Sequence, residues 1–145
     1  MTTTRGTEGL SVTTTEHPNA TRMREGFAAF GRGELDTVRQ DLATDAVWVN
    51  GGRSPLAGTY RGWDEISQMF GRLFELTGGT WTHALVSVLA DDQHAVAIYD
   101  ATATVNGVTA EHRFVLVQDM AQDGTVQTAR TLAYDQEEAD ALLIG

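Results

Sequence analysis

The chain has no cysteine, and every one of its ten basic residues is arginine. Without thiols there is no disulfide, no thiolate nucleophile and no cysteine-based metal site. Without lysine there is no Schiff-base chemistry and no pyridoxal phosphate catalysis. Serine is scarce: Ser11, Ser54, Ser67 and Ser87 lie in no nucleophile-elbow pattern. Glycine is plentiful, yet "GRGELD" is too short and too charged for a phosphate loop or a dinucleotide fingerprint. No stretch approaches the ~20 apolar residues of a membrane span. Positive charge is also short, and the net charge is -10. That balance excludes nucleic acid, whose phosphates require clustered cations, and disfavours docking on anionic lipid. A neutral or apolar small molecule is the partner such a surface admits. No cofactor requirement is visible.

The 145 residues suit one domain large enough to bury a core. Residues 1–16, rich in Thr and Gly, carry too little apolar surface to offset the entropy of ordering and are expected to be a disordered tail. That segment has no apolar run of the kind a secretory signal needs, so the cytoplasm is the expected compartment. Residues 17–145 are expected to fold. "PNATRMREGFAAF" places Met23, Phe27 and Phe30 on one helical face, and "ELDTVRQDLA" makes a short second helix with Leu35, Val38 and Leu42 inward. "AVWVN" reads as a strand and "GGRSPLAG" as a loop. "WDEISQMFGRLFEL" is the clearest helix, with an apolar stripe of Ile66, Met69, Phe70, Leu73 and Phe74. Four strands follow, two of them joined by the hairpin signal Asn106-Gly107. Asp135 with Glu138 resembles a capping box for a last helix. The order α-α-β-α-β-β-β-β-α implies an α+β fold, helices covering one face of a curved mixed or antiparallel sheet.

The elements "GFAAFGRGELDTVRQDLATDAVWVN", "SPLAGTYRGWDEI", "VLADDQHAV" and "YDQEEADALL" resemble the SnoaL-like branch of the NTF2-like superfamily. The likeness spans roughly residues 17 to 145. It implies a cone with an internal apolar pocket, and it implies homodimers. The superfamily includes ketosteroid isomerases, limonene epoxide hydrolases and polyketide cyclases, so the resemblance bears on fold more than on chemistry. Against the isomerases, the base aspartate position falls on Asn50, the hydrogen-bonding tyrosine near Gly26 and the second aspartate near Leu116. An amide, a glycine and a leucine cannot do that work, so the chain is not a ketosteroid isomerase. The final-strand aspartate of the epoxide hydrolases falls near Leu132, which leaves that apparatus incomplete too.

Alternation supplies the candidate residues. Trp48 and Asn50 share a strand face; Asn50 either contacts a ligand or caps a turn, and Trp48 is core or pocket wall. Ala97, Tyr99, Ala101 and Ala103 share another face, where three alanines around a tyrosine leave room for a ligand or for a closely packed helix. His112, Phe114, Leu116 and Gln118 share a third, and His112 is either a general acid or base or a structural histidine, imidazole being the side chain that titrates near neutrality. Three histidines, His83, His94 and His112, lack the carboxylate and the short spacing a metal site needs. Arg130, Leu132 and Tyr134 share the last strand's face and are taken, with Trp48, Phe114, Leu116 and Gln118, as substrate-binding candidates; facing in, Arg130 would hold a carboxylate or enolate, and facing out it is a surface cation, with Asp100 and Glu111 as possible partners. Tyr60, Met69, Phe70 and Phe74 are read as lining the pocket mouth. The combination implies a cyclase or isomerase working on a hydrophobic, polyketide-like substrate mainly by confinement, with His112, Asn50 and Tyr99 catalytic. The alternatives are a binding module that sequesters an apolar metabolite, an epoxide hydrolase-like enzyme, and a dimeric scaffold with a filled cone.

Overall fold

The computed structural model describes residues 16–144. The expectation of a disordered tail therefore lies, apart from Glu16, outside the described residues. Glu16 itself accepts from the Arg24 guanidinium at 2.9 Å. The elements are α1 (Pro18–Gly31), α2 (Leu35–Asp41), β1 (Leu42–Asn50), β2 (Gly58–Arg61), α3 (Gly62–Leu76), β3 (Thr82–Ala90), β4 (His94–Val105), β5 (Val108–Met120), β6 (Val126–Ala133) and α4 (Gln136–Ile144). All six strands form one sheet in the order β2-β1-β6-β5-β4-β3. Every pairing is antiparallel except β1 with β6, so the sheet is mixed. The α+β architecture is the expected one.

Two elements differ from the sequence reading. Residues 58–61 form an edge strand on β1, with Trp48 opposite Tyr60, where the sequence reading has a loop up to Gly58 and no element over residues 59–61. Four residues on an edge carry too little alternation to announce a strand. The first strand also begins at Leu42 instead of Ala46, because α2 stops at Asp41 and Leu42 turns extended, with φ -94° and ψ 139°. The hairpin at Asn106-Gly107 has both central residues at positive φ, 52° and 78°, as a two-residue turn between twisted strands requires. At the start of α4, Asp135 Oδ1 accepts the Glu138 backbone N–H at 3.0 Å.

Curvature comes from irregularities in the ladder. Pairing shifts register between Leu85 and Ser87 on β3, between Asp119 and Met120 on β5, and between Leu42 and Val47 on β1. Such bulges bend a strand and increase its twist. The sheet stays open, with β2 and β3 at its edges, and the helices lie in its concave side. Met23 and Phe27 of α1 pack on a carpet of small residues, Ala95, Ala97 and Ala101 of β4, all buried. Ile66, Met69 and Phe70 of α3 pack on Ala46 and Trp48 of β1. Phe30 meets Phe70 edge-on at 4.9 Å and stacks on Phe74 at 5.3 Å, which ties the two helices together.

Candidate functional site: an apolar cavity in the cone

Between the concave sheet and the helices lies a cavity of about 210 Å³. Its walls are mostly carbon. β5 contributes His112, Phe114, Leu116 and Gln118 from one face, as alternation predicts. Pairing fixes what stands beside them: Tyr99 is opposite Phe114, Ala101 opposite His112 and Ala103 opposite Ala110. The alanines of β4 make the space, since a larger residue at 101 or 103 would fill it. Trp48 and Asn50 of β1 and Met69 and Phe70 of α3 complete the wall.

Tyr99 is 7% exposed, its ring edge-on to Phe27 at 5.0 Å and stacked with Phe114 at 5.6 Å. Its hydroxyl has no hydrogen-bond partner among the described residues, and the residue lines the cavity. Burial pushes the phenol pKa well up, so the group is a neutral donor across the physiological range. The imidazole of His112 and the amide of Gln118 likewise lack protein partners among the described residues. Asn50 differs. Its Oδ1 accepts the Trp48 indole N–H at 3.1 Å, and its Nδ2 donates to the Leu56 carbonyl at 3.0 Å. Trp48 Nε1 is shared with Thr131 Oγ1 at 3.2 Å. The amide is thus spent on holding the indole and the loop after β1, which leaves one N–H for anything else.

Six sequence-based assignments are corrected. Arg130, Leu132 and Tyr134 face outward: Arg130 is exposed, and Leu132 and Tyr134 are 42% and 62% exposed. The inward residues of β6 are Ala129, Thr131 and Ala133, because these stand opposite Gln118, Leu116 and Phe114 in the ladder, and cross-strand partners share a face. Asp100, offered as a partner for Arg130, instead accepts from Arg113 at 2.8 Å on the outer face. Tyr60 does not reach the cavity; its hydroxyl donates to the Leu56 carbonyl at 2.8 Å. Phe74 does not line it either, being consumed in the stack on Phe30.

Sequence reasoning passed over two carboxylates in the lining, Asp41 and Asp140. Asp140, 5% exposed, accepts the Arg53 backbone N–H at 2.7 Å and the Gln136 amide at 3.0 Å, and so pins the loop after β1 to α4. Gly52 fits beneath this clamp because it has φ +87° and no Cβ; a methyl there would come within 2.5 Å of Asp140 Oδ1. For Asp41 a signal existed, since it lies three residues after Val38 on the same helical face.

His83 sits outside the cavity in an aromatic nest, 5.1 Å from both the Phe27 and Trp81 rings, with its Nδ1 buried and unpartnered. Desolvation holds its pKa below the ordinary value, against a smaller opposing influence from the Phe27 backbone. The unfolded chain therefore takes up this proton first as the pH drops through ~6.5, and stability falls from there down to the depressed native value. Replacing His83 by Phe should remove that loss. The difference in melting temperature between variant and wild type should widen in the variant's favour from pH 7.5 to pH 5.0; a constant difference would mean His83 does not titrate with folding. Among the described residues no group of His, Asp and Glu is arranged to hold a metal ion, and no helix is long and apolar enough to cross a membrane.

An open, curved six-stranded sheet folded over helices around a cavity is the NTF2-like fold, a class of small α+β cones. Within it, the family described as SnoaL-like domain matches residues 23–130, and the chain belongs to that family. It is 32% identical over 100 residues to the uncharacterized protein Rv0034 of Mycobacterium tuberculosis, covering 68% of this chain and 76% of that one. Among solved structures, Bal32a from a soil-derived mobile gene cassette is 32% identical, with a TM-score of 0.81 over 86% of this chain and 95% of that chain. A putative SnoaL-like polyketide cyclase from Jannaschia sp. CCS1 shares 14% identity and a TM-score of 0.71, covering 90% of this chain and 98% of that one. At that identity the likeness concerns the fold.

Proposed function

We propose that this protein cyclises or isomerises a hydrophobic, polyketide-like molecule inside the cone. The observation that carries the reading is the cavity itself: apolar walls, with the Tyr99 hydroxyl and the His112 imidazole facing it unengaged. Folding a flexible chain into a reactive conformer can contribute up to ~7–11 kcal/mol where geometry is ideal, and greasy walls suit that task. The Tyr99 phenol would donate to a carbonyl oxygen as negative charge develops on it, in a site with little water to compete. His112 would move the accompanying proton. Asn50 is a positioning residue in this scheme, holding Trp48 and the loop in place. The test is incubation with a synthetic linear poly-β-ketone, followed by mass spectrometry and NMR for a cyclic product. Tight binding with no product would favour a non-catalytic module that sequesters an apolar metabolite.

The working unit is proposed to be a homodimer joined through the outer sheet face. Leu132, Val115 and Ile98 are neighbours across β6, β5 and β4 there, and Val117, Val96 and Leu89 form a second row. Leu89 is 60% exposed and Leu132 42%. A contiguous apolar sheet face is a site for association. Sedimentation should give twice the 15.7 kDa chain mass, and Leu132→Glu should give the single mass; a monomeric wild type would sink this arrangement.

A further inference from the structure

The two carboxylates in the cavity wall are in opposite states. Asp140 is satisfied by a backbone N–H and an amide. Asp41 accepts no hydrogen bond from any described residue, although it is partly buried and lines the cavity. Arg22, the cation that acts on it, forms no ion pair with it; that guanidinium donates from Nη1 to Asn19 Oδ1 at 2.7 Å. Glu25, also on α1, adds a like charge. Space is left beside the carboxylate because α1 has a glycine there: a Cβ on Gly26 would stand 3.6 Å from Asp41 Oδ2. The residue is also the last of α2, at the negative end of a helix. Desolvation, reinforced by Glu25 and only partly offset by Arg22, holds its carboxyl above the usual carboxylate range. Nothing in the fold rewards a carboxylate here, and a neutral side chain of the same size would be more stable. A costly group aimed into a cavity points to a ligand.

We propose that Asp41 is a substrate-binding residue: its carboxylate receives the hydrogen of a phenolic or enolic hydroxyl on a ligand whose apolar body fills the cone. The inference rests on the reading of the cavity as a small-molecule site, and it adds the polarity of the molecule. One end carries a hydrogen-bond donor for Asp41, and a carbonyl sits where Tyr99 can donate to it. Hydroxylated aromatic or enolised polycarbonyl compounds have both features. A ligand carrying a carboxylate at the Asp41 end would be rejected by like charge.

Fluorescence titration with naphthalene, 2-naphthol and 2-naphthoate tests this on wild type, Asp41→Asn and Asp41→Leu. A hydrogen bond to a charged acceptor should give wild type about tenfold preference for 2-naphthol over naphthalene. In Asp41→Leu the preference should fall to about twofold or less, with naphthalene affinity retained. Asp41→Asn should lie between and gain affinity for 2-naphthoate. Melting temperatures at or above wild type would show that both variants fold. Naphthalene binding without a naphthol preference in wild type, or a preference that survives in Asp41→Leu, would overturn the role of Asp41 and leave the cavity reading intact. Failure of all three probes to bind would overturn both.

Discussion

Replacing His112 by alanine should lower turnover of a linear poly-β-ketone by about 10²–10⁴-fold, the range spanned by general acid–base catalysis. The imidazole projects from β5 opposite Ala101, beside the cavity, and no described residue holds it. Its removal therefore breaks no native hydrogen bond, and circular dichroism and melting temperature should stay close to wild type. What the variant keeps is confinement, so residual cyclisation should still exceed the reaction in buffer. Tyr99→Phe should show a separate loss, larger in kcat than in KM, because the hydroxyl's bond to the carbonyl oxygen strengthens as charge develops in the transition state. Unchanged turnover in His112→Ala would remove the histidine and leave a mechanism of confinement alone. The two variants together separate proton movement from oxyanion stabilisation.

Filling the cavity should have the second large effect. Ala101→Phe places a benzyl group between His83 and His112, the neighbours of Ala101 on either side. The native residue is 5% exposed and lines the chamber, so the new ring has only the ligand space to enter. Binding of naphthalene should weaken by two orders of magnitude or more, on the order of the loss expected when the apolar contacts of a whole ring are forfeited. Overpacking could cost about 1–3 kcal/mol of stability, so the comparison is made well below the melting temperature. Undiminished binding would place the ligand elsewhere.

Part of this site was legible in the residue order. On β4 burial alternates without a break from Ala95 to Val105, and from Tyr99 to Thr104 the sequence shows the same alternation, Tyr99, Ala101 and Ala103 against Asp100, Thr102 and Thr104. On β5 the predicted face of His112, Phe114, Leu116 and Gln118 is the cavity face. On β6 the same method chose the wrong side. There the outward Leu132 is more apolar than the inward Thr131, because the outer surface carries an apolar row of Leu132, Val115 and Ile98 beside its charged residues. Asn50 was placed on the right wall, but its engagement with Trp48 and Leu56 depends on a loop whose path alternation does not encode.

Taken alone, the residue order settled the four helices and the five longer strands, though not the edge strand at residues 58–61, and it settled which residues of each strand travel together. It did so because helical and extended backbones repeat at 3.6 and 2 residues and burial follows those periods. Only the tertiary structure decided which face of β6 turns inward, that the amide of Asn50 is occupied, and that Asp41 stands unpartnered at the chamber wall. Alternation divides a strand into two faces without labelling either as inside; the label comes from the register of its neighbours, and register is a property of strands far apart in the chain.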